Sequence, residues 1–214
     1  MVSGEETLAG KLSTSFFAGR QQTVLMAPAV LPMSNRHLNR GYAMELKIYP
    51  DKVLRKRCKP LRDVGDAEAQ RMRDMLEFMY EADGVGLAGP QVGWSARVIA
   101  LDPEQDQSGP RIFINPRLLE SEGNAVEPEG CLSLPGIQAP VSRSERVRVA
   151  AYTLSGDRIE EESEGLRARA WQHEIDHLNG VLFIDRLEPT ALVQIRRRLK
   201  ELEESRETQT ARSV

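Results

Sequence analysis

The sequence predicts an α+β fold: short, mostly antiparallel strands packed around a central helix, with a second helix at the C-terminal end. Three observations carry this reading. Several short apolar runs are bounded by Pro, Gly or polar residues, as strands are. One pair of them, Val147 to Leu154 and Arg158 to Glu162, flanks Ser155-Gly156-Asp157 and reads as a hairpin. These runs also follow one another without the regular strand–helix alternation of a parallel sheet.

The elements come in order from Met44. Glu45 to Pro50 is a short extended piece ending at a proline turn. A helix follows over Ala67 to Ala82, with Asp63 or Asp66 as candidate caps, because Met72, Met75, Leu76 and Met79 recur at i, i+3, i+4, i+7. Such a methionine stripe is core packing. Asp83-Gly84 closes the helix. Arg97 to Leu101, Arg111 to Asn115 and Arg117 to Glu120 read as strands, and the hairpin follows. In the central helix Leu166, Ala170, His173, His177 and Leu178 share one stripe, Glu164, Arg167 and Asn179 lie elsewhere, and Gly180 supplies a stop. The final helix spans about Thr190 to Glu204, with Leu192, Ile195, Leu199 and Leu202 on one side.

Composition bounds the rest. With 214 residues, one domain with a substantial core is expected. A net charge of -3 gives no basic footprint for nucleic acid or anionic lipid, so neither is expected as a partner. Two cysteines, Cys58 and Cys131, make no disulfide framework and fit a reducing compartment. No apolar run spans a bilayer; the best, Thr23 to Met33, is short and broken by Pro28 and Pro32. Residues 1–43 read as a leader outside the fold, with four basic residues against two acids. They are a disordered tail, or they precede a true start at Met44, with a targeting segment as the alternative. His37, in this leader, is read as solvent-exposed. Residues 44–205 read as the folded domain and 206–214 as a polar tail.

The central helix carries the most informative stretch, His173-Glu174-Ile175-Asp176-His177. Histidines four residues apart fall on one helix face, so both imidazoles reach one divalent ion. Glu174 is then placed to handle the proton of a metal-bound water. A catalytic site of this kind needs a third protein ligand. One candidate is a downstream acid, Asp185 or Glu188, giving a peptidase-like set; the other is Cys131 in Glu129-Gly130-Cys131-Leu132-Ser133. The residues alone leave this open. Cys58, between basic neighbours, reads as a buried small hydrophobe.

Three separated segments resemble, in order and at similar separations, the signature motifs of peptide deformylases. They are Gly84-Val85-Gly86-Leu87-Ala88-Gly89-Pro90-Gln91, Glu129-Gly130-Cys131-Leu132-Ser133 and Gln172-His173-Glu174-Ile175-Asp176-His177. The likeness covers most of 44–205; Gly89 departs from it, where the family usually has alanine. It implies Cys131, His173 and His177 as metal ligands for one divalent ion, Fe2+ in the first place, with Zn2+, Ni2+ or Co2+ able to replace it. It implies Glu174 as the proton carrier, with the Gln91 amide and the Leu132 backbone N–H as oxyanion donors. It further implies a peptide site built from Val85, Gly86, Gly130, Leu132, Leu166, Ala170 and the stem of Arg169. Glu129 or Asp176, with Arg143 as ion-pair partner, would support the histidines. The implied reaction removes the formyl group from N-formylmethionyl peptides as a monomer in the bacterial cytoplasm, or in an organelle if the leader is a transit peptide. Arg196, Arg197 and Arg198 read either as a transient ribosome contact or as a solvated helix face.

Overall fold

The computed structural model describes residues 44–212, so the leader, including His37, lies outside the described residues. Helix α1 runs Asp66–Glu81. Its cap is Gly65, not Asp63 or Asp66: Asp66 is already in the first turn, and the Gly65 N–H donates to the Glu68 side chain at 3.1 Å. Glu68 thus satisfies a donor at the start of the helix from three residues on, and the first-turn acids suit the helix dipole. At the other end Asp83 takes a left-handed conformation (φ 52) and Gly84 N–H bonds back to Met79 O at 2.9 Å. That bond is the helix-closing pattern expected of Asp83-Gly84, and it delivers the chain into strand β1, Gly86–Ala88.

Strands β2 (Val98–Leu101), β3 (Ile112–Glu122), β6 (Arg146–Thr153) and β7 (Arg158–Glu164) join β1 in a five-stranded antiparallel sheet of order β1-β2-β3-β6-β7. The two strands expected at 111–115 and 117–120 are one strand with irregular register. Asn115 is left-handed (φ 52), and its side-chain amide both accepts from Leu61 N–H at 2.8 Å and donates to Leu61 O at 2.7 Å. That bulge kinks the ladder without ending it. A separate hairpin, β4 (Ala125–Gly130) with β5 (Gln138–Arg143), went unpredicted because Pro128 faces Pro140 and half of β4 is exposed. Sequence alternation cannot find such a strand.

The sheet is covered on both faces where β2 crosses it. Val98 and Ala100 pack with Met72, Met75 and Met79 of α1, whereas Ile99 and Leu101 pack with Trp171, Ile175 and Leu178 of helix α2, Gly165–Leu178. Double coverage explains why β2 reads Val-Ile-Ala-Leu with no polar alternation. Trp171 and Phe113 anchor the α2 side, their ring centroids 4.6 Å apart. Burying such side chains contributes roughly 2–3 kcal/mol each. Helix α2 is less striped than expected: from Ala168 to Leu178 every residue except Gln172 is buried. Arg169 and Asp176 can be buried because each finds a charged partner, whereas Glu174 has an oxygen without one, as described below.

Helix α3 runs Pro189–Arg212, well beyond Glu204 and through most of the expected polar tail. Ala191 and Ile195 are buried and Leu199 and Leu202 pack against the β4–β5 cluster, but Leu192 is 37% exposed, off the apolar face assigned to it. Among the described residues no helix is long and apolar enough to cross a membrane.

Candidate active site and metal centre

Helix α2 delivers His173, Glu174 and His177, and the turn leaving β4 delivers Cys131. Cys131 Sγ lies 3.2 Å from His177 Nε2, and the two Nε2 atoms are 3.1 Å apart. All three ligand atoms lie within 4.8 Å of one another, and among the described residues these are the only His, Cys, Asp or Glu side chains grouped in this way. The peptidase-like alternative finds no support in this geometry. Asp185 accepts from Leu182 N–H at 2.8 Å and pairs with Arg55, while Glu188 is exposed.

The donor set fits a divalent ion. A sulfur and two ring nitrogens converge in a buried space, a soft, three-ligand arrangement that leaves a further position open. The tautomer is set from behind. His173 Nδ1 sits 2.6 Å from Glu129 Oε1; a carboxylate only accepts, so Nδ1 carries a proton whether or not the ring is charged, and Nε2, 3.1 Å from His177 Nε2, is the atom that would give up its own proton to take an ion. Glu129 in turn accepts from Arg143 Nη2 at 2.6 Å and Nε at 3.1 Å, and Arg143 Nη1 reaches Asp176 at 2.5 Å. Arg186 also grips Asp176, with Nη2 at 2.5 Å from Oδ1. The support expected of Glu129, Asp176 and Arg143 is thus one connected network; Arg186 was missed, since nothing local in Asp185-Arg186-Leu187 points to it.

Two carboxylates beside His173 are tuned in opposite directions. Burial raises the Glu129 carboxyl, but the His173 and Arg143 charges overcome that and hold it well below the usual range. Burial pushes the Glu174 carboxyl up to about 7, with the His173 charge opposing. Glu174 Oε2 is buried with no hydrogen-bond partner among the described residues, as is His177 Nδ1. A glutamate so placed can take a proton from water and return it near neutral pH.

The motif at 84–91 forms the facing wall. Gly89–Val92 is one short 3-10 turn. Within it Gln91 Oε1 accepts Ala88 N–H at 2.7 Å, which aims Nε2 at Ser133 Oγ (3.3 Å) and Cys131 Sγ (3.5 Å). Ser133 was another residue the sequence did not single out. Gly86 presses so closely on Glu174 that any Cβ there would overlap the carboxylate. Gly89 is equally constrained: a Cβ would lie 2.6 Å from Trp94 O and 2.8 Å from Ala96 O. Val85, Gly86, Gln91, Gly130, Cys131, Leu132, Ala170, His173 and Glu174 line a common cleft, joined by Asp83 and Gly84. Leu166 and Arg169 are not on its wall. The Arg169 guanidinium turns to Glu129 and the β4–β5 backbone.

Residues 43–192 match the sequence model of the polypeptide deformylase family. The chain belongs to the peptide deformylase family. Peptide deformylase 1 of Clostridium perfringens is 46% identical over 140 residues, 65% of this chain and 95% of that protein. The peptide deformylase of Thermotoga neapolitana is 45% identical over 161 residues, 75% of this chain and 96% of that one. The fold matches a plant peptide deformylase crystal structure with a TM-score of 0.76 at 33% identity, covering 81% of this chain and 96% of that chain. It also matches a Legionella pneumophila peptide deformylase with a TM-score of 0.72 at 38% identity, covering 78% and 98%. As a deformylase the protein is a metal-dependent hydrolase that removes the formyl group from the N-terminal formylmethionine of new polypeptides.

Proposed function

We propose that Cys131, His173 and His177 hold the ion, Fe2+ natively, and that Glu174, Gln91 and Leu132 carry out the deformylation around it. The observation that carries this reading is the meeting of Cys131 Sγ with the two Nε2 atoms in the cleft that also holds the unpartnered Glu174 Oε2. When bound, a divalent ion at these ligands supplies Lewis-acid polarisation. Glu174 takes a proton from the water that attacks the formyl carbon. As the C–O bond forms, charge develops on the formyl oxygen. The Gln91 amide and the Leu132 backbone N–H meet it there as donors already in place, each contributing about 3 kcal/mol to the transition state. The C–N bond then breaks, Glu174 gives its proton to the leaving amine, and formate and a free N-terminus depart.

The peptide enters as an extended segment beside Gly84-Val85-Gly86, pairing through its main chain, so residues beyond the first are read loosely. Its methionine side chain fills the slot of Val85, Leu132 and Ala170, with Gly86 and Gly130 letting the backbone approach. The enzyme works as a monomer in the bacterial cytoplasm, with residues 1–43 outside the catalytic domain. Arg196, Arg197 and Arg198 are exposed on α3, the last two paired with Glu201, and are the surface offered for a transient ribosome contact.

The test is formate release from formyl-Met-Ala-Ser by anaerobically prepared protein, with metal analysis of the same sample. Iron in near one-to-one ratio, release from the formylated peptide alone and loss of both in Cys131→Ala are expected. Retention of metal and turnover by Cys131→Ala would overturn the ligand assignment.

A further inference from the structure

Arg169 is a buried charge that the reaction itself does not use. Its side chain is 4% exposed. Nη1 donates to Glu129 Oε2 and to Val141 O, both at 3.1 Å, and Nη2 donates to Ala125 O at 3.1 Å. Nε faces Glu127 Oε2 at 3.3 Å, a half-exposed partner. One guanidinium therefore fastens both strands of the β4–β5 hairpin to α2.

The contact with Glu129 matters most, because that carboxylate sets the His173 ring. Glu129 Oε1 takes His173 Nδ1 and Arg143 Nη2; Oε2 takes Arg143 Nε and Arg169 Nη1. A carboxylate offers about four acceptor sites, and all are filled. Arg169 and His173 are also neighbours at i, i+4 on one helix face. The helix therefore holds the two oxygens of the same buried carboxylate from one surface, and the plane of Glu129 is fixed relative to the ring it orients. Without Arg169, one lone pair of Glu129 loses its donor and only Arg143 restrains Oε2. Arg143 is shared with Asp176, on the far side of the network. The carboxylate can then turn toward Arg143, and the Nδ1 contact turns with it.

We propose that Arg169 is a positioning residue for His173, acting through Glu129, and not a wall of the methionine slot. This rests on the reading that His173 holds the metal, which the wild-type metal analysis tests separately, before any variant is made.

The experiment compares wild type with Arg169→Met, Arg169→Lys and Glu127→Gln. It reads metal release into a chelator, the visible spectrum of the cobalt-substituted protein, and kcat and KM for formyl-Met-Ala-Ser and its norleucine analogue. Arg169→Met is expected to release metal about tenfold faster, to change the cobalt spectrum and to lower kcat by a similar factor. KM and the methionine-to-norleucine ratio should stay within about twofold of wild type, since no substrate contact is lost. Arg169→Lys keeps a cation within reach of Glu129 and should restore most of the metal retention. Glu127→Gln removes only the outer partner and should retain metal as wild type does. Unchanged metal release with an altered KM or side-chain preference in Arg169→Met would overturn the proposal. So would lysine rescuing no better than methionine, or Glu127→Gln releasing metal as fast as Arg169→Met. If Arg169→Met does not fold, Arg169→Lys decides alone: retained metal with retained preference supports the proposal, and retained metal with changed preference overturns it.

Discussion

Glu129 and Glu174 are both buried against the same helix, within reach of the same histidine, and they are opposites. Glu129, with its side chain fully buried, is saturated by two arginines and an imidazole and stays ionised. Glu174, 4% exposed, has one oxygen with no donor at all among the described residues, and its carboxyl rises to about 7. Identical side chains thus become a fixed charge and a proton carrier through the number of donors each is given. The lesson is that burial alone does not decide a role; the count of partners inside the burial does.

The sharpest way to break this contrast is Glu174→Gln. It should lower kcat by about 10²–10⁴-fold while metal content stays at the wild-type level, read by formate release and metal analysis. Turnover near wild type would remove Glu174 from the chemistry. Glu129→Gln should do the reverse, weakening metal affinity by about 10–100-fold in a chelator competition. It should also cost about 3–5 kcal/mol of stability in urea unfolding, because Arg143 and Arg169 are left as poorly matched buried charges. If metal affinity were unchanged, the carboxylate would not be what sets the histidine.

A third change tests whether the loop opposite Glu174 has slack. Gly89→Ala places a methyl against the Trp94 and Ala96 carbonyls, and should cost about 1–3 kcal/mol in thermal unfolding. A neutral result would show that the 94–96 segment yields easily.

The smallest effect is expected at a third carboxylate, Glu161, which lies between the two extremes. Burial raises it, but hydrogen bonds from Arg167, Ser163 and Trp171 bring it below the ordinary range. A depressed folded-state pKa contributes stability that is present above the unfolded value and lost as pH falls through the folded one. Glu161→Gln should therefore cost about 1–2 kcal/mol near neutral pH, and its urea midpoint should converge on that of wild type as the buffer is taken down through the acid range. A gap that persists in acid would mean that packing, not charge, accounts for the loss.

What the sequence made legible was local. The i, i+4 histidines, the methionine stripe and the Ser155-Gly156-Asp157 hairpin all follow from spacing along a few residues, and the structure has them. The β4–β5 hairpin was hidden because Pro128 and Pro140 occupy a paired position and three of the six residues of β4 are exposed. The continuity of β3 was hidden because a left-handed Asn115, held by Leu61 from far along the chain, looks like a strand break. At the site, Glu129, Asp176 and Arg143 were named, yet their mutual bonds span 14 and 33 residues of sequence and no local pattern encodes them. Arg169 shows the same limit: the family resemblance placed its stem at the cleft, and only the hairpin carbonyls reveal which way its guanidinium turns.

Helix α2 has almost no exposed flank between Ala168 and Leu178. Segments buried in this way are expected to be among the last to open, which slow exchange of its amide protons would show. Both rings, His173 and His177, ride on that segment. Opening of α2 would therefore cost the site both of its rings at once.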